Sequence, residues 1–126
     1  MRQASVAIRL KRVYEERSPE DGERFLVERL WPRGMSRQSL ALSAWLKDLA
    51  PTTELRRWYG HDPGKWEEFR HRYCLQLDRS PEALQSLLQA CAHGTVTLLY
   101  SARDTERNSA VVLRDFLERQ LGSDHT

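Results

Sequence analysis

The apolar run Phe25-Leu26-Val27 stops abruptly at Glu28-Arg29-Leu30-Trp31-Pro32-Arg33-Gly34. Buried strands of α/β folds end in this way, and ligands bind in the crevice beyond their carboxyl ends. A strand here must be covered by other elements, so the run constrains the fold before anything else does. Arginine is also the side chain best shaped to hold a phosphate or carboxylate at such an exit.

The rest of the chain supplies the covering. Val6, Ile8 and Leu10 alternate with Ala7, Arg9 and Lys11, the period of a half-buried strand. Ser18 to Arg24 is polar, with Pro19 and an Asp21-Gly22 pair, and reads as a turn. Phe25 to Leu30 is the second strand. Ser36 to Ser43 is weakly helical, and Ala44 to Leu49 reads as a short helix stopped by Pro51. Thr53 caps another helix running to about Tyr59.

Asp62-Pro63 opens a longer helix whose Trp66, Phe69, Arg70, Tyr73 and Leu77 recur at three and four. Ser80-Pro81 opens the next, striped by Leu84, Leu87, Leu88 and Cys91 and ended by Gly94. Thr95 to Ser101 is a buried strand. A last helix begins near Glu106, with Ala110, Leu113, Phe116, Leu117 and Leu121 inward.

The 126 residues suit a single α/β domain over 1–126, with a helical stretch at 44–93 between the second and third strands. The expected architecture is a small, mainly parallel β-sheet covered by helices, three-layer α/β/α in kind. The alternative is an α+β domain whose first two strands form an antiparallel hairpin.

Composition narrows the function. Twenty basic residues face 18 acidic ones, a net charge of +2, unlike the lopsided field of a dedicated duplex-DNA binder. No stretch approaches the ~20 apolar residues of a membrane span, and the N-terminus lacks a signal-peptide core, so the expected location is cytoplasmic. Cys74 and Cys91 read as reduced core thiols. His61, His71, His93 and His125 show no zinc-ligand spacing with them, so no metal is expected, and no cofactor either. Phosphate-loop and nucleophile-elbow motifs are lacking.

If the second and third strands are parallel neighbours, their exits converge. One delivers Glu28, Arg29, Trp31 and Arg33; the other delivers Tyr100, Ser101, Arg103 and Asp104, with Asn108 in the first helical turn beyond. Arg29, Arg33 and Arg103 beside a helix N-terminus would make a pocket for an anion. Trp31 or Tyr100 would pack on the ligand's organic part, with Ser101 and Asn108 as further contacts. In an enzyme, Glu28 or Asp104 would be acid or base, with Tyr100 donating a hydrogen bond. The bland alternative pairs Arg29 with Glu28 or Asp104 and makes Asp104 or Thr105 a helix cap. Trp66 and Tyr73 read as core, and His61 as an aid to the turn before its helix.

Five segments in order carry a resemblance: LKRVYE from Leu10 to Glu15, LVERLWPRG at 26–34, WLKDLAP at 45–51, ELRRWYGHDPGKWEEFRHRY at 54–73 and VTLLYSARD at 96–104, followed by Asn108. The chain resembles the YeaO-like branch of the uncharacterised bacterial domain-of-unknown-function 488 family. The resemblance implies an α/β domain and brings no activity with it. Glu28 stands where YeaO-like relatives usually carry aspartate. Tyr100 stands where the wider family tends to have cysteine, and its Cys-His-Arg motif is absent, so a thiol mechanism does not transfer.

The expectation is therefore a protein that binds a small anionic, phosphorylated or nucleotide-like ligand at its strand ends. Hydrolysis or group transfer is the natural chemistry if it turns over, since arginines stabilise developing charge. The alternative is a single-stranded nucleic-acid-binding or regulatory module, in which Trp31, Trp45 and Trp58 stack on bases. Oligomeric state is left open.

Overall fold

The computed structural model describes residues 7–123; Val6 and His125, named above, lie outside the described residues. Four strands form one sheet in the order β1-β4-β2-β3: β1 Ile8–Arg12, β2 Glu23–Leu26, β3 Ala44–Trp45 and β4 Val96–Tyr100. Every pairing is parallel. Leu98 of β4 stands between Leu10 of β1 and Phe25 of β2, so the first two strands never touch and the hairpin alternative fails.

The apolar character of β4 follows from that central place. All five of its residues are buried, while β1, on the edge, is half-buried throughout. Central parallel strands are covered on both faces and read as continuous apolar runs.

Side-chain alternation splits the core in two. Phe25, Val27, Val96, Leu98 and Tyr100 face helices α2 (Thr53–Tyr59), α3 (Trp66–Asp78), α4 (Pro81–His93) and α5 (Ser109–Ser123). Leu26 and Leu99 face the other way, with Val13 and Leu40. There the covering layer is thin: the one-turn helix α1 (Arg37–Leu40), Trp31, Met35, Leu42 and Trp45. The α/β class stands, with most of its helical mass on one side.

Two local expectations are corrected. Ala44–Trp45 does not begin a helix; it pairs with Phe25 and Leu26 as edge strand β3, and only Lys47–Leu49 coils, as one 3-10 turn. Pairing with a buried neighbour overrides a weak helical pattern. The last helix begins three residues later than expected, at Ser109. Asn108 ends the loop, its Oδ1 accepting from Val111 N at 3.0 Å. Elsewhere the devices match: Asp62 caps the turn Pro63–Lys65 that leads into α3, and Thr52, one residue early, caps α2.

Candidate functional site

The exits of β2 and β4 lie side by side. Pairing runs one residue past β2, with Val27 N donating to Leu99 O at 3.2 Å, and Ser101 N then reaches the Glu28 carboxylate at 3.1 Å. Beyond them opens a cleft of about 940 Å³, walled by residues 27–30, by 101–104 and 107–109, and by the end of α2 with His61. Tyr59, Phe69 and Ala50 give it an apolar part.

Six of the nine expected site residues line this cleft: Glu28, Arg29, Ser101, Arg103, Asp104 and Asn108. Three do not. Tyr100 shares the inward register of Val96 and Leu98 and is buried in the helix-side core. Burial pushes its hydroxyl pKa up. Trp31 packs on the opposite sheet face, edge-on to Trp45 at 5.3 Å, its indole N–H donating to Met35 O at 2.7 Å. Arg33 is exposed in the loop that precedes α1 and is absent from the cleft wall. Period two and the turn at Pro32 explain all three.

Arg56 and Arg57, in the last turn of α2, and Arg107 also line the cleft. Sequence reasoning missed them. The signal was available as Arg56-Arg57 immediately before Trp58-Tyr59-Gly60, but nothing in the spacing says which wall a short helix joins.

The five arginines are not equivalent. Arg29 is tied to backbone, its guanidinium donating to Ala50 O at 3.0 Å and Pro51 O at 3.4 Å. Arg107 pairs with Asp104 at 3.1 Å. Arg56, Arg57 and Arg103 are exposed and form no ion pair among the described residues. Replacing Arg29 by alanine should therefore lower stability by about 2 kcal/mol, the usual worth of hydrogen bonds from a charged donor. A thermal melt showing no change would contradict that structural role.

Two carboxylates sit among these cations. Asp104 is held below the usual range by hydrogen bonds from Glu106 N and Arg107 N and by its pairing with Arg107. Glu28 behaves oppositely: burial pushes its pKa up, and the pull of Ser101, Arg56 and His61 does not cancel that. Asn108 is engaged at both ends of its amide, donating to Asp104 O and accepting from Val111 N. His61 adopts a left-handed backbone (φ 57°) and tilts on Tyr59, so it both turns the chain and joins the wall. Among the described residues no group of His, Cys, Asp and Glu is placed to hold a metal, and no helix is long and apolar enough to cross a membrane.

Comparison with known proteins gives a consistent picture. The family model described as the inactive DUF488-N3 subclade matches residues 7–126. An uncharacterised protein of Mycobacterium tuberculosis (strain ATCC 25618 / H37Rv) is 40% identical over 87% of this chain and 92% of its own. The uncharacterised protein YeaO of Escherichia coli (strain K12) is 40% identical over 87% of this chain and 96% of its own. No solved structure matches.

Proposed function

The chain belongs to the inactive DUF488-N3 subclade of that family, and from this premise we propose that it binds a small anionic ligand, phosphorylated or nucleotide-like, without transforming it. One observation carries the reading: five arginines line one cleft against two carboxylates, and three of the five have no ion-pair partner among the described residues. Guanidinium groups left unpaired beside an apolar wall cost little in water and gain strongly from an arriving phosphate. The subclade's description as inactive favours retention of a ligand over hydrolysis or group transfer. A cytoplasmic location belongs to the same reading.

The strand-binding alternative needs tryptophans open to bases. Each is instead half-buried and engaged: Trp45 donates to Glu28 O at 2.6 Å and carries Lys47 on its ring. Trp58 lies under Arg72 and Lys65. Trp31 packs on Trp45, and Trp66 stacks on Phe69.

The test is calorimetric titration with pyrophosphate and with ADP. Arg56→Ala and Arg103→Ala should each weaken binding about tenfold, since a charge-assisted hydrogen bond is worth roughly 1.5–3 kcal/mol. Both side chains are exposed, so melting temperatures should hold. Unchanged affinity in the double variant would discard the site. A single-stranded oligonucleotide binding more tightly than ADP, with a steep loss in added salt, would favour the strand reading instead.

A further inference from the structure

Glu28 is the odd residue of the cleft. Its backbone carbonyl accepts the Trp45 indole, and one carboxylate oxygen accepts Ser101 N, which fixes the group at the exit of β2. Five arginines line the same space, yet none comes within ion-pair distance of it among the described residues. The other buried or half-buried carboxylates among the described residues behave differently: Asp21 gathers three cations, Asp104 takes Arg107 and Asp115 takes Arg114.

An unpaired carboxylate weakens the hold on a plain anion by direct repulsion. Its presence in the wall of an anion cleft calls for a compensating feature of the ligand. One neutral N–H already reaches it, from Ser101, and burial still raises its pKa. What the carboxylate lacks is a cation in direct contact: Arg56 and His61 act on it only from beyond ion-pair distance.

Resting on the anion-binding reading above, we infer that the ligand is zwitterionic: a phosphate or carboxylate taken by Arg56 and Arg103, with an amine whose ammonium lies against the Glu28 carboxylate. An ammonium offers three donors and a compact charge, matching the free lone pairs of an ionised carboxylate. The arrangement also discriminates. Simple phosphates meet repulsion at Glu28, whereas an aminated phosphate meets attraction at both ends.

The experiment uses two probes that differ only in the amine, O-phosphoethanolamine and ethyl phosphate, titrated into the wild-type chain and into Glu28→Gln. Glutamine keeps the acceptor for Ser101 N and removes only the charge, and melting curves check that the fold is retained. The wild type should prefer phosphoethanolamine by about tenfold or more. Glu28→Gln should weaken phosphoethanolamine about tenfold and leave ethyl phosphate equal or tighter. Equal affinity of the wild type for both probes, or equal loss of both in Glu28→Gln, would overturn the inference while leaving the anion cleft standing. If neither probe binds the wild type while pyrophosphate or ADP does, the inference falls and the anion reading stands; if none of the four binds, both fall.

Discussion

Asp21→Ala is expected to destabilise the fold by about 3–5 kcal/mol, the usual cost of stranding a buried charge. Asp21 is fully buried at the amino end of the sheet. Its carboxylate binds Arg24 at 2.6 Å, Lys11 at 3.0 Å and Arg9 at 3.4 Å, and accepts Ser18 N at 3.0 Å. Arg24 is itself buried, so alanine leaves a guanidinium whose one remaining hydrogen-bond partner among the described residues is Leu40 O. The double variant Asp21→Leu/Arg24→Met removes both charges and should melt above Asp21→Ala. A double variant no better than the single one would show that the ion pair is not the source of the loss.

The same group makes stability depend on acid. Burial pushes the Asp21 carboxyl up, but hydrogen bonds from Ser18 N, Lys11 and Arg24 outweigh it, and its pKa falls below the ordinary value. The unfolded chain therefore binds the proton more readily than the folded one. The stabilisation is complete above about pH 4, the ordinary aspartate range, and is lost as pH falls from there through the folded-state value. Acid titration of Asp21→Asn should show a shallower loss of stability below pH 4 than the wild type.

The two ends of the sheet use charge in opposite ways. At the amino end a buried carboxylate answers three cations and the group is closed. At the carboxyl end Arg56, Arg57 and Arg103 stay unanswered. Charge closed inside the fold sets stability, whereas charge left open at the strand exits is available to a ligand.

Much of this was legible from the sequence, and the reasons are local. The run Phe25-Leu26-Val27 and the β-branched stretch Thr95 to Ser101 each declare a strand, because parallel central strands have no polar face to interrupt them. The exits then name Glu28, Arg29, Ser101 and Arg103 by simple continuation. Arg56 and Arg57 could not be found that way, since the rotation of a seven-residue helix depends on what it packs against. Tyr100 was misplaced because one residue of register separates the core from the cleft mouth. Ala44–Trp45 was misread because a two-residue strand has no period to detect. Asp21 is the instructive case: Ser18-Pro19-Glu20-Asp21 carries a capping-box spacing, and the structure has that box with both bonds. The spacing gives the turn but not the three cations, two of which arrive from β1.

Gly22→Ala should prove nearly as damaging as the loss of its neighbour, and for a reason unrelated to charge. Gly22 has φ 64° and ψ −139°, a backbone region open to glycine alone. A Cβ there would lie 2.1 Å from Thr95 O and 2.8 Å from Thr95 C, both backbone atoms that no rotamer change can move. That carbonyl already accepts Glu23 N at 3.1 Å, where β2 begins beside β4. Relief therefore requires separating the two central strands at their first contact. Backbone strain alone costs on the order of 1–3 kcal/mol, and the clash adds to it, so a total of about 3 kcal/mol or more is expected. Gly34→Ala is the matched control: its φ is 80°, but nothing lies within 4 Å of the added carbon, so only the strain remains. Chemical denaturation of the two variants separates the contributions. Equal losses at both positions would mean that the close approach of Gly22 to Thr95 does not hold the strands in register.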